Sequence, residues 1–344
     1  MSTPKALTYS NTLCRILFDL VGNEFRGLAG WIVIWTASII VLANVAGPAH
    51  GAPTEVRLGV VLTSIHDIEP RDGSFAVSGY AWFVDPSGTF DPLREVEIIA
   101  RSAEIQPLAE ADLPDGARYT AISFSATIDH EFDVRRYPFD RQSLVFIIES
   151  ERSTETYLFT PDSKDSTLHP SVRAPGWRIL DISLKSSVQA YDTGFGYKEG
   201  DSEFSQIIAK VNIERKISPF LFEKFTGFFV AFAITALVIF VPVDELGTRI
   251  GMTTGSVFAA VFNRYRLEDA TGFDAVFGTV DQVTILTFGA IIAILVLSIY
   301  AHRMFRDGRD DAATRINFIA GSLVLVTHAI LIMVVFWIAL GYES

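Results

Sequence analysis

Cysteine is almost missing from this chain: Cys14 is the single one in 344 residues. That excludes a disulfide framework and any cysteine-based metal site. An excess of positive charge is missing too. The 28 Lys and Arg stand against 40 Asp and Glu, a formal net charge of −12, which argues against a nucleic-acid partner. No Gly-x-Ser-x-Gly, His-Glu-x-x-His or Gly-x-x-x-x-Gly-Lys occurs, so three common chemistries lack a starting motif. Gly194-Phe195-Gly196-Tyr197-Lys198-Glu199-Gly200 lacks the spacing and context of a dinucleotide loop. No enzyme activity, cofactor or metal is expected.

Long apolar runs, by contrast, are abundant. Five reach or approach the roughly 20 residues needed to cross a bilayer: Gly27–Val45, Pro219–Val243, Ile250–Tyr265, Val276–His302 and Ile316–Leu340. The third is the most polar. The first comes after Lys5, Arg15 and Arg26 and precedes Ala46-Gly47-Pro48-Ala49-His50-Gly51-Ala52. Such a pattern describes a secretory signal peptide cleaved near Ala49 or Ala52, with an uncleaved membrane anchor as the rival. Residues 1–52 are therefore a leader or an anchor. Either way, the chain beyond residue 52 is sent across the membrane.

Between Val56 and Ile213 short β-branched and aromatic runs alternate with turn signals such as Pro70-Arg71-Asp72-Gly73 and Leu113-Pro114-Asp115-Gly116. Proline presets φ and glycine accepts positive φ, so these are hairpin turns with a mechanism. Strands are expected at Val56–Ser64, Ser74–Phe83, Arg94–Arg101, Ala117–Ile128, Gln142–Ser150, Thr156–Phe159, Trp177–Lys185 and Phe204–Arg215. The spacing predicts a β-sandwich over 53–216 and a helical membrane region over 217–344. The sandwich carries 27 acidic and 17 basic side chains. That surface keeps it soluble, or concentrates cations above a pore. Arg303, Arg306, Arg309 and Arg315 between the last two runs mark a cytoplasmic loop, which places the sandwich and the C-terminus outside.

Residues 132–142 read Phe132-Asp133-Val134-Arg135-Arg136-Tyr137-Pro138-Phe139-Asp140-Arg141-Gln142. The core Tyr137-Pro138-Phe139-Asp140-x-Gln142, followed by four apolar segments, resembles the signature loop of the pentameric ligand-gated ion channels, the Cys-loop receptor superfamily. The form is the bacterial one without the cysteine pair, whose positions are taken by His130 and Leu144. Phe90-Asp91-Pro92, Gly176-Trp177-Arg178-Ile179 and Asp281 extend the resemblance. It implies an all-β extracellular sandwich followed by an all-α four-helix transmembrane bundle, assembled as a cyclic homopentamer in the bacterial inner (plasma) membrane. It also implies inorganic ions as cargo, with an unknown small-molecule agonist or protons as the opening signal. A non-conducting membrane sensor or scaffold on the same fold is the alternative.

The resemblance further implies site residues. Coupling falls to Glu69, Arg71 and Asp72 of the first hairpin turn, to Tyr137, Pro138, Phe139 and Asp140, and to Arg215, with an Asp140–Arg215 pair at the junction. The rival reading of the loop is a plain turn between two strands. In the second span of the bundle, Gly247, Gly251, Gly255 and Ala259 recur every four residues and permit close helix contact. The opposite side, Ile250, Thr253, Thr254, Val257, Val261 and Arg264, is expected to line the pore. Asp244 and Glu245 at the inner mouth favour cations, whereas Arg249 and Arg264 favour anions if they face the lumen. The resemblance implies an inner basic residue that points away from the pore, and with the acidic vestibule this tips the expectation to cations. A ligand would sit under the hairpin carrying Tyr191, Phe195 and Tyr197, whose rings can hold a cation, near Glu149 and Glu151. His66, His130 and His169 are candidates for sensing protons, and His328 for a helix–helix hydrogen bond. Two departures stand out: about 20 residues are missing between Pro92 and Ala117, and Gly227 replaces a usual proline.

Overall fold

The computed structural model describes residues 52–196, 200–216, 218–272 and 277–341. Ten strands come first: β1 (Thr54–Glu69), β2 (Ser74–Asp85), β3 (Val96–Ile99), β4 (Ser102–Asp112), β5 (Arg118–Asp129), β6 (Arg141–Ser153), β7 (Tyr157–Pro161), β8 (Thr167–Leu168), β9 (Trp177–Tyr191) and β10 (Ser202–Arg215). Four long helices come after them: α1 (Ser218–Leu237), α2 (Leu246–Thr271), α3 (Thr279–Arg306) and α4 (Asp310–Gly341). One sheet runs β4-β5-β2-β1-β7, with β8 also on β1; the other runs β3-β6-β10-β9. The two sheets enclose an apolar core.

The strand pattern explains that core. Val56, Leu58, Val60 and Leu62 alternate along β1 and are wholly buried, as are Phe83 on β2, Ile148 on β6 and Ile207, Ala209 and Ile213 on β10. Period-two alternation puts them on one face, and each such Leu or Phe contributes about 1.5–3 kcal/mol by leaving water. Phe83, Phe90 and Phe159 pack ring to ring at centroid distances of 5.2–6.1 Å. The turn after β2 is organised by Asp85, whose carboxylate accepts the amides of Ser87, Thr89 and Phe90 at 2.7–2.8 Å.

Sequence reading merged β3 with its neighbours and missed β4. Pro92–Glu95 forms one helical turn instead. β4 escaped because it is an edge strand whose residues are nearly all exposed, so the apolar alternation that betrays a strand is absent. Pro107 sits at an irregularity in its pairing with β5, where a missing amide does least harm.

Among the described residues three helical segments are long and apolar enough to cross a membrane: Glu223–Phe240, Thr279–Arg306 and Asp310–Gly341. Helix α2 is not one of them. Its 26 residues hold six buried positions, Arg249, Thr253, Ser256, Ala260, Asn263 and Leu267, spaced three or four apart on one face. The candidate leader at residues 1–51 lies outside the described residues.

Candidate functional site: the junction and the second helix

The signature loop lies where β domain and helices meet, and a buried ion pair fixes it. Arg215, at the end of β10, reaches both carboxylate oxygens of Asp140, Nε to Oδ1 at 2.6 Å and Nη2 to Oδ2 at 2.9 Å. The backbones reinforce it, the Arg215 amide donating to the Asp140 carbonyl at 3.1 Å. Gln142 Nε2 donates to the same carboxylate at 2.9 Å and to the Asp133 carbonyl. The guanidinium also stacks on Trp177 at 4.0 Å and on Tyr137 at 4.9 Å. Charge, hydrogen bonds and aromatic faces are thus all satisfied, the condition under which a buried pair holds its place. Burial pushes the Tyr137 phenol up to about 12, with Arg215 opposing and Asp140 adding to the rise. The Tyr137–Pro138 peptide is cis.

Two β-domain turns bear directly on helix ends. In the first, Arg71 pairs with Asp269 near the end of α2, and a Cβ on Gly272 would lie 3.3 Å from Arg71 Cα. Glu69 and Asp72 close that turn by a backbone bond of 3.1 Å. In the second, the carbonyl of Arg135 accepts the amide of Thr279 at 2.7 Å, supplying an acceptor for the first turn of α3. Gly278 is required there, because a Cβ would meet Arg135 backbone at 2.6–3.0 Å. Phe139 contacts Phe336 of α4 edge to face, centroids 5.8 Å apart. Pro138 is buried beside Tyr137. His130 packs between Phe75 and Phe132, rings 5.7 and 4.7 Å away, and burial lowers its pKa, with Glu131 opposing.

Over 154 residues the chain is 27% identical to a protein described as a proton-gated ion channel from Gloeobacter violaceus (strain ATCC 29082 / PCC 7421). The match covers 38% of this chain and 43% of that protein, so the chain spans less than half of the curated relative it matches. No protein-family model matches the chain.

The residues expected to line a pore on the second helix fall in different surroundings. Thr253 is buried, its hydroxyl bonded to the Arg249 carbonyl at 2.6 Å. Arg249 is also turned inward: it is wholly buried, donates to Asn317 of α4, and reaches the Val238 carbonyl at 3.4 Å. Arg264 is held by Glu268 at 2.9 Å and by Asp281 of α3 at 2.8 Å. Val257 and Val261 are half-buried, and Ile250 and Thr254 are exposed. The face no neighbouring helix covers holds Gly251, Thr254, Gly255, Phe258, Phe262 and Tyr265. Nothing lies within 4 Å of a Cβ at Gly247, Gly251 or Gly255, so the glycine stripe makes no close contact inside one chain. Asp244 and Glu245 are exposed just before the helix.

In the candidate ligand hairpin Tyr191, Phe195 and Phe204 form three edge-to-face pairs with centroids 5.5–5.7 Å apart. The Tyr191 hydroxyl meets the carboxylate of buried Glu149 at 3.2–3.3 Å, and Gln206 donates to the same group. Burial, then the Glu149 charge, raises the Tyr191 pKa. Phe204 and Gln206 were missed because both read as ordinary strand residues. Glu151 is exposed at the end of β6, and Tyr197 lies outside the described residues. The His66 ring meets Ser64 at 3.0 Å and the Asp67 carboxylate at 3.7 Å, and the His169 ring meets Ser171 at 2.6 Å. His328 stacks on Phe232 of α1, ring centroids 4.9 Å apart. It also lines a cavity of about 200 Å3 among α1, α3 and α4, otherwise walled by apolar side chains and Thr287.

Proposed function

We propose that this chain is the subunit of a membrane ion channel, homopentameric, whose exported β domain opens a pore lined by α2. One observation carries the reading: both junction turns rest on the helices that would have to move, Arg71 on the end of α2 and Arg135 on the start of α3. A displacement of either turn is therefore delivered to a helix end without a flexible linker between. The proton-gated relative supports protons as the opening signal.

The lumen in this reading is the uncovered face of α2. Five copies about one axis close a ring by repeating a single heterologous contact. Gly251 and Gly255 leave one half wide, while Phe258, Phe262 and Tyr265 narrow the other, where apolar rings can stop conduction by dewetting. Cation preference follows from the charges: Arg249 is buried away from that face, Arg264 is paired with two carboxylates, and Asp244 and Glu245 are exposed. The β domain faces the periplasm of the inner membrane, with residues 53–216 as sensor and 217–344 as pore. The cluster of Glu149, Tyr191, Phe195 and Phe204 is the place for a small cationic agonist. Purified protein in planar bilayers, stepped from neutral to acid pH under asymmetric salt, tests this. Steps of cation-selective current support it; silence from correctly assembled particles at every pH overturns it.

A further inference from the structure

Gly227, in α1, is held by the second helix at a single point. Its amide, which a regular helix directs to the Glu223 carbonyl, donates to Asn263 Oδ1 of α2 at 3.0 Å. The Glu223 carbonyl in turn accepts from Arg266 Nη1 at 3.1 Å. Both halves of one helical rung are thus engaged by two side chains three residues apart, on one face of α2. Only glycine fits: a Cβ at 227 would lie 2.5 Å from Asn263 Cβ, 2.7 Å from Oδ1 and 2.9 Å from Cγ. Asn263 is 4% exposed, and its Nδ2 has no partner among the described residues. Its oxygen is the atom in use.

The placement matters because α1 starts three residues after Arg215, which Asp140 anchors. We propose that Asn263 is a positioning residue for pore opening: clipped to the Gly227 amide, it carries a displacement of α1, pulled by β10, to the outer half of α2. The proposal rests on the channel reading.

The test is a double-mutant cycle on full-length protein with two readouts, thermal midpoint and the proton concentration for half-maximal current. In an unconstrained helix Gly→Ala raises stability. Here Gly227→Ala should lower the midpoint in the native background and raise it in the Asn263→Gly background, where the Asn263 Cβ that crowds position 227 is gone with the rest of the side chain, a reversal of sign. Asn263→Leu, similar in volume but without the oxygen, should shift half-maximal activation about two- to tenfold, the range of one hydrogen bond. Asn263→Asp, which keeps the acceptor, should restore most of it. Gly227→Ala raising the midpoint in both backgrounds overturns the clip. A sign reversal with unchanged activation in Asn263→Leu leaves a structural contact only and overturns the positioning role. No current from the native protein at any pH removes the channel reading and the positioning role with it, while the midpoints still report the clip.

Discussion

Replacing Asp140 by Asn keeps the volume of the side chain and removes the Asp140 charge that faces Arg215 inside the junction. The side chains of Arg215 and Asp140 are 6% and 1% exposed, so water cannot take over. Removing one partner of such a pair costs about 3–5 kcal/mol. Asp140→Asn belongs at the lower end, because the stack of Arg215 on Trp177 at 4.0 Å survives it. Arg215→Met belongs at the upper end, because the stack goes with the charge and, among the described residues, the Asp140 carboxylate keeps Gln142 alone. At about 2–4 °C per kcal/mol for a unit of 150–250 residues, Asp140→Asn lowers the thermal midpoint by roughly 6–12 °C. The apolar pair Asp140→Leu with Arg215→Met lies close to the native value, since a well-packed apolar pair replaces a buried ion pair at little cost. Intrinsic tryptophan fluorescence of the detergent-solubilised protein reads Asp140→Asn beside the four corners of the cycle, native, Asp140→Leu, Arg215→Met and their double, with Trp177 as a local reporter. A drop under about 2 °C for Asp140→Asn, or a double mutant that falls by the sum of the singles, would refute the reasoning.

His130 gives a pH prediction with a definite sign. Its folded pKa lies below 6.5 because burial disfavours the charged ring, so the unfolded chain binds more protons between the two values and its contribution is lost as pH falls from about 6.5 through the folded pKa. His130→Phe should therefore flatten the fall of the thermal midpoint on the acid side, measured from pH 7 to 5; an unchanged slope counts against the assignment. For the pore face, cysteines are introduced singly with Cys14→Ser: Phe258→Cys should react with an aqueous thiol reagent and lose current, and Thr253→Cys should stay inert. Gly59 faces the Trp82 ring, 2.1–2.7 Å from where a Cβ would sit, so Gly59→Ala should lower the midpoint, at a cost of about 1–3 kcal/mol typical of overpacking.

The sandwich was legible because its core strands alternate strictly, as Val56, Leu58, Val60 and Leu62 do. The junction was legible in part: Asp140 and Arg215 were pairable from a motif, and the structure brings them together. What stayed hidden depends on neighbours the chain order does not show. Trp177 reads as a strand residue until Arg215 lies across it, and Asp269 as a helix surface charge until Arg71 arrives. Gly227 read as the replacement of a usual proline, and nothing near it in sequence names Asn263, 36 positions away. The uncovered face of α2 stayed hidden for the same reason. Small, hydroxylated and aromatic residues go all the way round it, and only the packing of α1 and α3 decides that Thr253 and Arg249 turn inward while Phe258 and Phe262 stay uncovered.

Macroscopic current through a bilayer, with native protein and Asp140→Asn compared at equal numbers of assembled particles, tests the transmission claim most directly. The account predicts that acidification opens the native protein and that Asp140→Asn, still assembled and still inserted, needs a much larger acid step or stays shut. Equal currents from both proteins across the whole pH range would contradict it, since the β domain would then be open to disruption at its hold on the helices without consequence for the pore.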